Sequence, residues 1–170
     1  DKTFTSLVDK ANLLAEIFSR NSYLPDSKQP LPTVPNALCQ MPDIYFRTRE
    51  VKKMLANLDI NKSSGPDRIP ARVLKTCSLL LAKPLHNLFY KSFSLGKFPS
   101  CWKIANVQPV PKKGESTNPG NYQPIAICST LAKVMETIVN HKLTKYLDAN
   151  SLINDRQYGF RKNRSTSDLM

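Results

Sequence analysis

The sequence predicts an α+β fold, mostly helical, with one small antiparallel β element. Three observations lead there. Apolar residues recur at spacings of three and four in several separate stretches, most regularly from Leu131 to Leu147. One stretch, Trp102 to Ile127, instead alternates every two residues and reverses at a lysine-bearing turn. Glycine is sparse, at 5, while proline, at 13, is plentiful and gathers between the periodic stretches.

The chain has 170 residues and a hydrophobic content of 41%, which suits one domain or part of one with its own core. Lys and Arg number 25 against 13 Asp and Glu, a net charge of +12. Such a balance suits a polyanionic partner, of which nucleic acid is the commonest. Cys39, Cys77, Cys101 and Cys128 are widely spaced, with no Cys-x-x-Cys or Cys/His cluster, which argues against zinc and for free thiols in a reducing compartment. No signal peptide is present and no apolar run approaches the ~20 residues of a membrane span. An intracellular location, nuclear or cytoplasmic, is therefore expected. The chain starts at Asp1 rather than Met, so a cut or incomplete polypeptide is expected.

The elements follow in order. Leu7, Val8, Ala11, Leu14, Ala15 and Phe18 predict a helix over Phe4 to Arg20 with one apolar stripe. Asn21 to Pro42 carries Pro25, Pro30, Pro32, Pro35 and Pro42 and reads as an extended linker. This divides the chain into an N-terminal helix and linker, 1–42, and a second unit, 43–170. Thr48 is expected to cap the next helix, with Glu50 in its first turn and Val51, Met54, Leu55 and Leu58 facing inward. Asn61 to Asp67 is a cluster of turn formers. There Lys62, Ser63 and Ser64 can meet a phosphate backbone, or simply cover a surface turn.

Pro70 suits a helix start, with Val73, Leu74, Cys77, Leu80 and Leu81 inward until Pro84 interrupts. Leu85, Leu88, Phe89 and Phe93 predict a further helix, on which His86 reads as a packing or surface residue. After a turn at Gly96 to Pro99, Trp102 is expected to anchor the following arm to the helices. Along that arm, Ile104, Asn106, Gln108 and Val110 share one face, with Ala105 and Val107 on the other. Pro109 and Pro111 confine the strand to an edge. Lys112, Lys113 and Gly114 sit where the chain reverses, and Gln123 to Ile127 returns. Ammonium groups at such a tip can close over a polyphosphate, and the same residues also suit a plain solvated hairpin.

Ser129 or Thr130 is expected to cap a helix whose stripe is Leu131, Val134, Met135, Ile138, Val139, Leu143 and Leu147. Lys133, Lys142 and Lys145 lie off that stripe, towards solvent or phosphate. The tail, Gln157 to Thr166, mixes Tyr158 and Phe160 with Arg161, Lys162 and Arg164, a mixture that fits bases and phosphates or a basic loop with Phe160 buried. Ser165 and Asp168 have capping-box spacing, which predicts a helix beginning at the last residues.

The ordered set FPSCWK, VQPVPKKG, NYQPIAICSTLAKVMETIV and QYGFRKNRST, preceded by NKSSGPDRIP, resembles the fingers region of reverse transcriptases from non-LTR (LINE-type, jockey-like) retrotransposons. The resemblance runs from about Met41 to Met170. It implies an incomplete right-hand polymerase, the fingers with the start of the palm, and a chain that stops before the palm's catalytic aspartates. That family is an RNA-directed DNA polymerase using Mg2+, with an RNA template, a DNA primer and deoxynucleotide triphosphates as partners. Since its metal-holding aspartates match none of those present, the resemblance implies no metal bound to this chain and no polymerisation by it alone.

Residue by residue, the resemblance makes Lys112 or Lys113 the lysine on the incoming triphosphate. Gln123 stands where the family's Tyr-Arg-Pro-Ile motif has arginine, which keeps hydrogen bonding but loses charge and the bidentate fork. It likens the turn with Lys62, Ser63 and Ser64 to a template-contacting loop, and makes Lys103, Gln157, Arg161, Lys162 and Arg164 nucleic-acid contacts. Arg68 and Asn163 stand where the family commonly has glycine; with Gln123, they suggest a decayed or relaxed copy. Two alternatives to a polymerase fragment stay open: a non-enzymatic nucleic-acid-binding remnant, and a basic interaction module with no nucleic-acid role.

Overall fold

A computed structural model describes residues 6–23, 41–161, 163–165 and 167. The element order is α1 (Leu7–Ser22), α2 (Thr48–Ala56), α3 (Ala71–Thr76), α4 (Ser78–Ser94), β1 (Ala105–Pro111), β2 (Tyr122–Cys128) and α5 (Thr130–Ala149). The described residues are thus about half helical with a two-stranded antiparallel sheet, an arrangement consistent with the α+β class the sequence predicts. The linker expected over 21–42, the capping residue Asp168 and Cys39 lie wholly or mostly outside the described residues.

The core forms where α2, α4 and α5 meet. Val51 and Leu55 of α2 and Phe89 of α4 are fully buried, and Val134, Met135 and Ile138 of α5 close on them. Each such side chain contributes about 1.5–3 kcal/mol by leaving water. Trp102, 6% exposed, makes tilted contacts with Phe89 and Phe98 at 5.9 and 5.7 Å, so it does anchor the root of the arm. Phe46, just before α2, joins this aromatic group through Phe89 and Phe93. Its carbonyl receives a hydrogen bond from His86 Nε2 at 3.0 Å, which gives His86 the packing role expected of it.

Several expectations need correction. Arg47, not Thr48, is the N-cap of α2, and its backbone N–H donates to Glu50 across the first turn. The break between α3 and α4 falls at Cys77, and Pro84 lies inside α4. Proline is tolerated there because the carbonyl it leaves unpaired belongs to Leu80, which is 77% exposed and open to water. Leu80 and Leu88 face outward rather than into the core, because α4 turns Ala82, Leu85, Phe89 and Ser92 inward, and Val73 does so because α3 turns Ala71 and Leu74 inward. Leu143 is likewise exposed, so only the first half of the α5 stripe is covered. Lys142 faces neither solvent alone nor an open groove: it pairs with Glu50 of α2 at 3.0 Å. On α1, Leu7 and Val8 are exposed, while Leu14 and Phe18 lie over Val107, Pro109 and Pro124 of the sheet.

The register explains the prolines of the arm. Ala105 pairs with Cys128, Pro109 with Pro124 and Pro111 with Tyr122. Antiparallel partners alternate between hydrogen-bonded and non-hydrogen-bonded pairs. Lys112 N–H donates to the Asn121 carbonyl at 2.6 Å, which places Pro109, Pro111 and Pro124 all in the non-bonded set. Their missing donors therefore cost no ladder bond. Both strands are edges, as the prolines require, and the same prolines discourage pairing with a further strand.

Candidate nucleic-acid interface

The residues singled out from the sequence fall into three clusters strung along the β arm and α5. The first is the arm tip. Its loop is stapled internally: Asn118 Oδ1 accepts from Gly120 N–H at 2.9 Å, Asn121 Nδ2 donates to the Glu115 carbonyl at 2.9 Å, and Tyr122 OH to the Ser116 carbonyl at 3.0 Å. Gly114, at φ +129°, lies against the Asn121 side chain, where a Cβ would come within 2.7 Å of the amide nitrogen. These bonds leave Lys112 and Lys113 exposed, with no side-chain hydrogen bond or ion pair among the described residues.

Strand alternation sorts the tip residues by face. Gln123 pairs with Val110, so it shares a face with Gln108, Ile125 and, one step beyond the strand, Lys112. The opposite face carries Val107, Pro109 and Pro124 and is the one α1 lies along. Lys112 and Gln123 therefore belong to the uncovered face. Lys103, at the arm root after Trp102, is also exposed.

The second cluster is the turn after α2. Lys62 and Ser63 line an open groove of about 440 Å³ with Asn57 and Leu58, whose far wall is the first turns of α5, including Thr130 and Lys133. Ser64 is half-buried beside them. The turn is fastened to α5 from behind. Ser129 Oγ donates to Asp67 Oδ2 at 2.5 Å and also accepts Leu131 N–H, so one hydroxyl caps α5 and tethers the turn. Gly65 rests on the backbone of Cys128 and Ser129, where an added Cβ would meet main-chain atoms at 2.5 to 2.7 Å. Arg68 has φ +55° and Asn163 φ +61°: both positions, which the resemblance likens to glycines, stand in left-handed backbone.

The third cluster is the tail, at the far end of α5, which at 20 residues is about 30 Å long. Arg164 pairs with Asp155 at 3.2 Å, donates to its carbonyl at 3.0 Å and lies 5.1 Å from the Tyr158 ring. Arg161 stands 3.9 Å from Asp148 and 3.8 Å from Asp155. Gln157 turns its side-chain amide to the Gly159 carbonyl. Both arginines are thus held by acidic neighbours in this state of the loop. Phe160 is fully exposed at φ +61°, so the reading that buries it fails. Lys162 lies outside the described residues.

Among the described residues, no group of three or more His, Cys, Asp or Glu stands together as a metal site. The aspartates are engaged elsewhere: Asp67 with Ser129, Asp148 and Asp155 with the arginines, and Asp59 with the Asn61 N–H. The described residues do not fit Mg2+. Nor is any described helix long and apolar enough to cross a membrane.

No protein-family model matches the chain. It is 26% identical over 91% of its length to the RNA-directed DNA polymerase from mobile element jockey of Drosophila melanogaster. It is 27% identical over 71% to the probable RNA-directed DNA polymerase from transposon BS of the same organism. Over 70% it is 28% identical to a retrovirus-related Pol polyprotein from the type-1 retrotransposable element R1 of Bradysia coprophila. The chain spans only 12% to 18% of the length of these three relatives. In sequence, then, it is a relative of the RNA-directed DNA polymerases of non-LTR retrotransposons, matched over most of its own length.

Proposed function

We propose that the chain is the fingers portion of such a polymerase, with the start of its palm, and that it binds template and primer but does not polymerise by itself. The observation that carries this is the stapled arm tip. A folded loop spends its own polar groups on itself and leaves Lys112 and Lys113 without partners, on a chain of net charge +12. In this reading Lys112 is the lysine that meets the incoming triphosphate, since it shares the uncovered face with Gln123. Lys62, Ser63 and Ser64 follow the template backbone. The tail arginines exchange Asp155 for phosphate when nucleic acid arrives. In this reading the carboxylates that would bridge two metal ions are not among the described residues.

The test is to titrate a labelled single-stranded RNA into the purified 170 residues at increasing salt, and to assay primer extension with magnesium alongside. Affinity that falls steeply with salt, with no extension, is the expected pair of results. Salt-independent or absent binding removes the nucleic-acid role, and magnesium-dependent incorporation removes the claim of inactivity.

A specific observation favours the alternative of a non-enzymatic remnant. Arg68 holds a left-handed backbone that glycine adopts without strain, and Gln123 lacks a charge at the triphosphate position. The missing charge at Gln123 weakens a triphosphate contact and leaves the backbone-facing residues unchanged.

A further inference from the structure

We infer that the groove between the 61–64 turn and the start of α5 is a phosphate-binding subsite, and that Lys133 is its second cation. The inference rests on the nucleic-acid-binding reading above and adds a residue which that reading does not use. Lys62 and Lys133 come from segments far apart in the chain and line the same groove. Both are exposed, and neither side chain has a hydrogen-bond or ion-pair partner among the described residues. One acidic residue, Asp59, also lines the groove; its Oδ1 accepts the Asn61 N–H at 3.0 Å and its charge remains, so the two lysines leave the groove one positive charge in excess. Ser63 adds a hydroxyl on the Lys62 side.

The groove is also held open in a fixed shape. Asp67 and Ser129 fasten the turn to the α5 cap, and Gly65 packs on the backbone between them. Two exposed lysines lining one groove, against a single carboxylate, give it a net positive charge that a phosphate offsets. Ammonium groups bring charge without fixed geometry, so the ligand chemistry is a phosphodiester read without regard to sequence.

The experiment compares the full chain with Lys133→Ala, Lys62→Ala, the double variant, and Lys83→Ala as a control from the exposed side of α4. Binding of a labelled single-stranded RNA of mixed sequence is measured across a salt series. Lys133→Ala and Lys62→Ala are each expected to weaken binding about 3- to 10-fold for every RNA sequence and to lower the salt slope by about one. The double variant should lose less than the product of the two, because both act on one phosphate. Lys83→Ala should leave the slope unchanged. If the parent chain binds with a steep slope and Lys133→Ala keeps it, the subsite is wrong while the broader reading stands. If the parent chain does not bind, both fall. Lys133→Glu provides a second check, since charge reversal in the groove must weaken binding beyond the alanine variant.

Discussion

Ser129 donates its hydroxyl to Asp67 at 2.5 Å across 62 positions of sequence, while accepting the Leu131 N–H of the helix it caps. Ser129 is fully buried. This one side chain joins the turn after α2, the end of β2 and the start of α5, the junction on which the arm and the groove are both mounted. Ser129→Ala should cost about 1–3 kcal/mol in urea unfolding, through the lost cap and the carboxylate oxygen left without its donor. Asp67→Ala should cost a similar amount, and the double variant less than the sum. Strict additivity would show that the two residues do not act together.

Gly65 makes the same junction sterically tight. Gly65→Ala drives a methyl into main-chain atoms at 2.5 to 2.7 Å, which cannot rotate away. A loss of about 1–3 kcal/mol is expected, together with weaker RNA binding as the turn lifts from α5. Unchanged melting and binding would mean the junction is looser than its contacts.

Arg68 offers a prediction of opposite sign. At φ +55° an L side chain costs about 1–2 kcal/mol, part of which glycine returns as chain entropy. Arg68→Gly should therefore stabilise the chain by about 0.5–1 kcal/mol. Asn163→Gly at φ +61° should gain less, because asparagine tolerates left-handed backbone. Thermal unfolding of both variants checks the order.

Under the proposed function, Gln123→Arg adds a charged fork on the face that Gln123 shares with Lys112. Hydrogen bonds to charged groups contribute about 1.5–3 kcal/mol, so deoxynucleotide triphosphate binding should tighten about 10- to 150-fold by equilibrium dialysis. No gain would count against the nucleotide-facing role of this strand.

Much of this was legible from the chain's periodicities. The two-residue alternation with its prolines specified an edge hairpin, and the register put every proline where no donor is needed. The apolar spacing of α2 and α5 and the anchoring of Trp102 were equally readable. The unread parts depend on which side of a helix meets water. Pro84 did not end α4, because its orphaned carbonyl faces solvent, a fact that spacing does not contain. Arg161 and Arg164 read as nucleic-acid contacts, with no sign in the sequence that the loop folds Asp148 and Asp155 back onto them. Lys133 sat off the α5 stripe with no hint of Lys62 across the groove, because that pairing exists only after the turn docks on Ser129.

The most direct measurement is photocrosslinking of the full chain to a single-stranded RNA carrying 4-thiouridine, with the attachment sites mapped by mass spectrometry. The account predicts attachments in the arm loop, 112–121, at the turn, 61–64, and in the tail from Gln157 to Arg161. Attachments confined to α1 or to the outer side of α4 around Lys83 and Lys91 would contradict it.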